Sequence, residues 1–230
     1  MGIRYLLFDL DGTLIDTTNL ILSCYRASAH RLVDCPPTDQ EILKGFGRPL
    51  PDQLWRLFPT LRDRLPEVEL LWHQAQDKLH DDLIRPFPDT REVLAQLRQR
   101  GYRLGIVTSK ERVMAERGMS MYGILPLMDA VVTVEDTTRH KPDPEPVLKG
   151  IQALFAPVAE TVYIGDSLHD MKAGRAAGVK VAAAMWGPFA KEPLREFQPD
   201  YLLERLGDLL ELFPPLEAAH GGLASERSLS

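Results

Sequence analysis

Two patterns of hydrophobic and polar positions alternate along this chain, short apolar runs and longer stretches with helical spacing. Short apolar runs at residues 3–8, 103–108 and 161–165 each end at a polar or glycine-containing turn, which is typical of buried strands. The stretches between them carry apolar positions at helical spacing. Strands that alternate with helices favour a parallel sheet with helices on both faces. We therefore expect an α/β fold, a Rossmann-like three-layer sandwich with a parallel sheet.

The other elements of this sandwich follow from the same pattern and from helix-end signals. Gly101 and Gly178 stand directly behind two predicted helices, where a left-handed residue commonly ends a helix. Asp143 and Pro144 have the types expected for a helix cap and a first helical residue. Further strands are predicted at residues 130–134, 179–183 and 201–203, and helices at residues 90–100, 111–119, 144–154, 168–177 and 206–213.

Residues 16–84 differ from the rest because only helical patterns occur there. Thr38 and Glu41 have the spacing of a capping box, and no strand is expected between residues 16 and 83. We interpret residues 16–84 as a small all-helical cap domain inserted into a core of residues 1–15 and 85–213, with a hinge at the two linkers. The tail, residues 214–230, lacks periodicity and is expected to be disordered. The predicted cap helices are residues 18–33, 38–44, 51–58 and 66–83.

Composition and charge narrow the range of partners. The chain has 230 residues, 44% of them hydrophobic, and a formal net charge of −6 without a basic cluster, which argues against nucleic acid as a partner. No apolar stretch has membrane-spanning length, and the first strand begins too early for a cleavable signal, so we expect a cytoplasmic protein. The two cysteines, Cys24 and Cys35, are too few for a disulfide framework and are expected to be packing residues.

Asp9 and Asp11 follow the first predicted strand. Ligands of an open parallel sheet bind at the carboxyl ends of its strands, so these side chains face a binding edge. Two neighbouring carboxylates in a partly buried place are costly to ionise unless a cation binds between them, and a divalent cation with oxygen ligands fits best. The simpler interpretation is a strand followed by an Asp–Gly turn, because both residue types are common in turns.

Two further segments could meet at the same edge and bind phosphate. Thr108 and Ser109 end the second core strand, where a hydroxyl can donate to a phosphate oxygen or merely cap a helix. Lys141 precedes Pro142, which favours an extended backbone and a side chain that crosses a cleft to neutralise phosphate and carboxylates. The alternative for Lys141 is an ordinary solvated lysine.

Asp166 and Asp170 follow the strand predicted at residues 161–165. They lie about one helical turn apart, so both can face one metal ion. Asp170 alone could equally complement the dipole at a helix start. His140 and His169 have no partner at metal-ligand spacing, and we expect both to be ordinary polar loop residues.

With these segments in their order, residues 3–213 closely resemble the haloacid dehalogenase-like (HAD) phosphohydrolase superfamily, in the subgroup that carries a helical cap after the first strand. Asp11 speaks against the dehalogenases of this superfamily, which lack an acid/base Asp at that position. The resemblance rests on four unlike segments, residues 8–14, 107–110, 140–146 and 165–170.

The resemblance implies a role for each polar residue. Asp9 looks like a nucleophile that forms an aspartyl-phosphate, and Asp11 looks like the general acid/base. Lys141 looks like the charge-neutralising lysine, and Mg²⁺ looks like the cofactor. The implied phosphate-binding residues are Thr108, Ser109, Lys141 and Gly12, and the implied metal ligands are Asp9, Asp11 (through its backbone carbonyl), Asp166 and Asp170, the last in direct or indirect contact.

Within the superfamily the chain looks most like phosphoglycolate phosphatases and the related pyrophosphatases, and residues 139–148 lean slightly toward the latter. Ser109 stands where many such enzymes have Asn, which affects the substrate contacts. We expect the loop at residues 45–50 to close over the leaving group, with Arg48 binding a second anionic group. A linker loop that merely tolerates glycine is the alternative.

The expected substrate is a small phosphorylated metabolite, and the expected assembly is a monomer or homodimer. A phosphosugar mutase would use the same active-site residues, and a requirement for a bisphosphate activator would distinguish it. A non-catalytic phosphate-binding regulator is disfavoured because Asp9, Asp11, Lys141 and Asp166 are all present.

Overall fold

The computed structural model describes residues 2–29 and 32–217. The strands within these residues are β1 Tyr5–Phe8, β2 Ile15–Asp16, β3 Arg85–Pro86, β4 Arg103–Val107, β5 Ala130–Val132, β6 Thr161–Gly165, β7 Lys180–Ala184 and β8 Tyr201–Leu203. The α-helices are α1 Thr18–Ala29, α2 Asp39–Leu43, α3 Leu50–Leu57, α4 Leu65–Leu83, α5 Thr90–Gln99, α6 Arg112–Met121, α7 Glu145–Leu154, α8 Leu168–Ala176, α9 Lys191–Glu196 and α10 Asp208–Leu212.

Six of the strands form one parallel sheet in the order β5-β4-β1-β6-β7-β8. The central strand β1 pairs with β4 and β6, so that Phe8 lies beside Ile106 and Ile164. Because these strands are parallel, their carboxyl ends meet at one edge, and the predicted site residues after each strand come together there. The predicted α/β fold is confirmed.

The sheet is buried on both faces because its central strands are almost wholly apolar. Leu6 and Phe8 of β1 belong to one hydrophobic cluster, whereas Leu7 belongs to a second cluster with Tyr163 and helix α7. Successive residues of a strand point to opposite faces, so such a strand needs helices on both sides. This packing fixes β1 in the middle of the sheet, and Asp9 follows directly at its carboxyl end.

Residues 18–83 are mainly helical, and aromatic packing joins the helices. Tyr25 of α1 stacks on Phe58 with ring centres 6.5 Å apart and meets Trp72 of α4 edge-on at 6.2 Å. No strand was expected between residues 16 and 83, but the short strand Ile15–Asp16 reaches the first residue of this range and pairs antiparallel with Arg85–Pro86. The two linkers between the core and the helical segment therefore form one short ribbon.

Several local predictions need correction. The described part of helix α1 is Thr18–Ala29, and residues 32–34 are not helical, although the helix was predicted to reach residue 33. Val33 and Asp34 are poor helix formers, and two prolines follow. Helix α9 was not predicted because it is short and contains Pro193. Cys24 is buried, but Cys35 is exposed, so the prediction that Cys35 is a packing residue was wrong.

The first residues of the predicted disordered tail, residues 214–217, are hydrogen-bonded to the segment at residues 100–102. The Leu216 amide donates to the Arg100 carbonyl over 2.9 Å, and the Tyr102 hydroxyl donates to the Pro214 carbonyl over 2.8 Å. Residues 218–230 lie outside the described residues. No helix within residues 2–29 and 32–217 combines the length and the apolar character that crossing a bilayer requires.

Candidate active site

Lys141 and Asp9 form a buried ion pair at the carboxyl end of β1. The Lys141 Nζ atom donates to Asp9 Oδ1 over 2.8 Å and to Asp170 Oδ1 over 2.7 Å. It also lies 3.1 Å from the hydroxyl oxygen of Tyr163, a strand residue for which no role was predicted. The three charged side chains are at most 5% exposed. The sequence segment before α7 thus places its lysine across the sheet edge, as Lys141 was expected to lie.

In this cluster, burial and the attraction between opposite charges shift the pKa values in opposite directions. Burial raises the pKa of Asp9 to about 7, although Lys141 opposes the shift. Burial alone would lower the pKa of Lys141, but Asp170 and Asp9 outweigh it and raise that pKa well above its usual value. Burial would raise the pKa of Asp170, yet Lys141 outweighs it and the pKa is lowered. The lysine is therefore held charged between two carboxyl groups.

Asp166 occupies a tight place at the end of β6. Its Oδ1 atom accepts a hydrogen bond from the Thr13 hydroxyl over 2.9 Å, whereas its buried Oδ2 atom has no partner among the described residues. A Cβ atom on Gly12 would lie 2.3 Å from Oδ2, and one on Gly187 would lie 2.4 Å from it. Burial, together with Asp170 and Asp9, raises the pKa of Asp166 well above its usual value.

These acidic side chains suit a divalent cation. Asp9, Asp166 and Asp170 each offer one carboxylate oxygen, and the three atoms lie within 4.8 Å of one another. Hard cations such as Mg²⁺ prefer oxygen ligands, and a buried carboxylate oxygen without a partner is costly unless a cation binds it. The residues present therefore fit the metal that the family resemblance implies.

Asp170 also has a structural role at the start of α8. Its Oδ2 atom accepts from the Ser167 amide over 3.1 Å, and the Ser167 hydroxyl accepts from the Asp170 amide in return. This reciprocal pair is a capping box. Both carboxylate oxygens of Asp170 thus already have protein partners, whereas Asp166 keeps one oxygen free.

Asp11 lies beside the cluster and pairs with a second lysine. The Lys110 Nζ atom lies 3.0 Å from each carboxylate oxygen of Asp11. The Thr108 hydroxyl accepts from the Lys110 amide over 3.2 Å, so the turn after β4 is folded back on itself. No role for Lys110 was predicted, although it directly follows the two hydroxyl residues at a strand end, and that position was the available signal.

A cleft of about 290 Å³ connects these residues to the helical segment. Asp9, Asp11, Thr108, Ser109 and Lys110 line one side of it, and residues 46–53 line part of the other. Arg48 lies in this second group, and its buried Nε atom has no partner among the described residues. The loop turns at Gly47, whose φ of +82° favours glycine. The structure thus brings Arg48 to the cleft that also contains Asp9.

The two histidines lie in different places. His140 lines the cleft, whereas His169 is the second residue of α8 and was wrongly expected in a loop. Burial lowers the pKa of His169, and the nearby charge of Arg48 adds to the effect. Neither histidine belongs to the group of acidic residues that could hold a metal among the described residues.

Comparison with known proteins decides the family. The family model described as haloacid dehalogenase-like hydrolase matches residues 6–184, which contain every acidic and basic residue of the cluster. The chain belongs to this family. It is therefore an enzyme, a hydrolase built on the HAD fold.

Relatives over nearly the whole chain agree with this assignment. The protein named pyrophosphatase PpaX from Halalkalibacterium halodurans is 34% identical over 212 residues, 92% of this chain and 97% of the relative. PpaX from Bacillus velezensis is 35% identical over 208 residues, 90% of this chain and 94% of the relative.

Solved structures of HAD proteins share the fold. A Bacteroides fragilis protein, provisionally named haloacid dehalogenase-like hydrolase, is 30% identical with a TM-score of 0.84, covering 90% of this chain and 100% of that one. A Lactobacillus plantarum protein provisionally named phosphoglycolate phosphatase is 27% identical with a TM-score of 0.81, covering 93% of this chain and 100% of that one.

Proposed function

We propose that this HAD hydrolase is a Mg²⁺-dependent phosphohydrolase that acts on a small phosphorylated metabolite through an aspartyl-phosphate. The observation that carries the proposal is the 2.8 Å ion pair between Lys141 and Asp9, together with the position of Asp9 beside Asp11 in the lining of the cleft. A carboxylate is a competent nucleophile, but it repels an anionic phosphate unless positive charge lies close by. Lys141 supplies that charge.

In the first step an Asp9 carboxylate oxygen attacks the phosphorus atom. The bond between phosphorus and the leaving oxygen breaks as the new bond to Asp9 forms, and Asp11 donates a proton to the leaving oxygen. Thr108 and Ser109 donate hydrogen bonds to phosphate oxygens from the end of β4, and the turn at Gly12 lets the backbone approach the phosphate. These contacts position a group whose transfer depends mainly on orientation and charge stabilisation.

In the second step water hydrolyses the aspartyl-phosphate. Asp11 takes a proton from the water as its oxygen attacks phosphorus, and the bond to Asp9 breaks to release inorganic phosphate. The carboxylates of Asp9 and Asp166 and the backbone carbonyl of Asp11 would hold Mg²⁺, with Asp170 orienting Lys141 or binding the metal itself. When bound, the metal neutralises charge on the transferring phosphoryl group.

We further propose that residues 16–84 act as a cap over a core of residues 1–15 and 85–213. The cleft lies between the helical segment and the strand ends, so a closing motion would exclude water other than the attacking molecule. Arg48 is suited to a second anionic group of the substrate, because its guanidinium can bind carboxylate or phosphate in a bidentate way. A cytoplasmic location and a monomeric or dimeric state remain predictions.

Two substrates have support in the comparisons. The names of the relatives favour inorganic pyrophosphate, and the name of the Lactobacillus plantarum protein favours phosphoglycolate. A phosphosugar mutase would share Asp9 and Asp11, and a need for a bisphosphate activator would reveal it.

Phosphate release with Mg²⁺ from a substrate panel tests the proposal. The panel contains phosphoglycolate, pyrophosphate, sugar phosphates, nucleotides and p-nitrophenyl phosphate, with Asp9→Asn as the control. Turnover that Asp9→Asn abolishes supports the mechanism, and turnover that survives this change would refute it. For Arg48→Ala we expect KM for phosphoglycolate to rise more than KM for p-nitrophenyl phosphate, and an equal rise would argue against the role of Arg48.

A further inference from the structure

The helical side of the cleft lies opposite the strand ends. It carries apolar carbon atoms and hydrogen-bond donors that have no partner among the described residues. Tyr25 of α1 and Trp72 of α4 both line it, and they meet edge-on with ring centres 6.2 Å apart. Ile21 and Leu50 add aliphatic surface to this wall. We name Ile21, Tyr25, Leu50 and Trp72 the aromatic wall.

Both aromatic side chains hold a polar atom that has no protein partner. The Tyr25 hydroxyl and the Trp72 indole nitrogen are buried, and neither makes a hydrogen bond within the described residues. Buried donors of this kind are normally satisfied, because an unpaired one costs about 1–3 kcal/mol. Since both side chains line the substrate cleft, a bound molecule can provide the missing acceptors.

The helical side of the cleft carries little positive charge. Among the described residues that line it from this side, Arg48 is the one lysine or arginine, and Asp52 is the one carboxylate. His73 is also on this side, and its Nε2 atom lies 3.8 Å from Glu69 Oε1 and 3.6 Å from Glu111 Oε1. The lysine that lines the opposite side, Lys110, is paired with Asp11.

The apolar surface and the low positive charge of this side of the cleft distinguish inorganic pyrophosphate from organic phosphate esters. The leaving group of inorganic pyrophosphate is a second phosphate, which has no carbon surface and several negative charges that require cations. An organic leaving group has carbon atoms to pack on aromatic rings and neutral oxygen or nitrogen atoms to accept hydrogen bonds. A cleft of about 290 Å³ has room for a leaving group of metabolite size.

We propose that the aromatic wall selects organic phosphomonoesters over inorganic pyrophosphate, with Tyr25 and Trp72 as specificity-determining residues. The ring of Trp72 packs against the carbon skeleton of the leaving group, and the Trp72 N–H and Tyr25 O–H donate to its acceptor atoms. This inference rests on the proposed phosphohydrolase function, and it assigns the substrate class of that same site.

The test compares kcat and KM with Mg²⁺ for pyrophosphate, phosphoglycolate, a sugar phosphate and p-nitrophenyl phosphate. We expect kcat/KM of the best organic ester to exceed that of pyrophosphate at least tenfold. Tyr25→Phe and Trp72→Phe keep a ring and remove one donor each. Each should raise KM for that ester about fivefold, the loss of one hydrogen bond, with kcat and the pyrophosphate KM unchanged.

Trp55→Phe is the matched control, because Trp55 is 51% exposed on α3 and does not line the cleft. It should leave KM unchanged for every substrate, and thermal unfolding should show that all three variants remain folded. Faster turnover of pyrophosphate than of any ester would overturn the inference while leaving the hydrolase function intact, as would equal KM changes for both substrate types. Absence of phosphate release from the whole panel would instead refute the proposed function and this inference with it.

Discussion

The Lys110 Nζ atom lies 3.0 Å from both carboxylate oxygens of Asp11, although the two residues are 99 positions apart in the chain. The side chains are only 7% and 17% exposed, so solvent screens this pair weakly. Lys110 lies in the turn after β4, and Asp11 follows β1, so the pairing of these two strands brings them together. Lys110 therefore positions the residue that we assign as general acid/base.

We predict that Lys110→Met lowers kcat by roughly 10- to 100-fold, a part of the contribution that a positioned acid/base makes. Without the ammonium group Asp11 loses its only charged partner among the described residues and can rotate away from the leaving oxygen. Steady-state kinetics on p-nitrophenyl phosphate measure the effect. Lys149→Met is the control because Lys149 is exposed on α7. Equal kcat values for the two variants would contradict the positioning role.

Mg²⁺ is predicted to stabilise the folded protein through Asp166. A ligand at about 100 times its Kd stabilises by about 2.7 kcal/mol, which raises Tm by roughly 5 °C or more for a chain of this size. Asp166→Asn should remove most of this shift, because the buried Oδ2 atom would no longer be an anionic ligand. Thermal unfolding with Mg²⁺ and with EDTA measures both proteins without any need for turnover. A full Mg²⁺ shift in Asp166→Asn would exclude Asp166 as a ligand.

Gly12→Ala is predicted to damage both stability and activity. Gly12 has φ of +86°, and its added Cβ would lie 2.3 Å from Asp166 Oδ2. Such backbone strain costs roughly 1–3 kcal/mol, and the displaced carboxylate should weaken Mg²⁺ binding as well. Gly2→Ala is the matched control, since nothing lies within 4 Å of the Cβ that it adds. Denaturant unfolding and Mg²⁺ titration should separate the two variants, and identical behaviour would contradict the tight turn.

Acid is predicted to destabilise the protein through His80 of α4. His80 is fully buried, and burial lowers its pKa; Lys110 and Arg117 add to the effect, and Asp81 opposes it. The folded state disfavours protonated His80, so neutral His80 contributes to the free energy of unfolding. This contribution is complete above the unfolded pKa, about 6.5, and is lost as the pH falls below that value.

Unfolding free energies at pH 7.5 and pH 5.0 measure this effect. The difference between the two pH values should be smaller in His80→Phe than in the wild type. An unchanged difference in His80→Phe would show that other groups cause the acid sensitivity.

Much of the fold could be predicted from the sequence because its signals are local. The apolar runs around Leu7 and Ile164 identify strands, and the Thr38 capping box identifies a helix start. The short ribbon of Ile15–Asp16 and Arg85–Pro86 could not be predicted, since two-residue strands carry no periodicity and their pairing joins distant segments. Helix α9 escaped prediction for a similar reason, because six residues show too little of a helical period.

The sequence by itself determined which residue types stand at the strand ends, and hence that Asp9, Asp11, Thr108, Lys141 and Asp166 share one edge of a parallel sheet. Tertiary structure alone decided their partners: Lys110 with Asp11, Tyr163 with Lys141, and Thr13 with Asp166. It also decided that Tyr25 and Trp72 face the same cleft. The physical reason is that periodicity depends on near neighbours in the chain, whereas hydrogen bonds and ion pairs depend on distances that only the packed sheet and helices set.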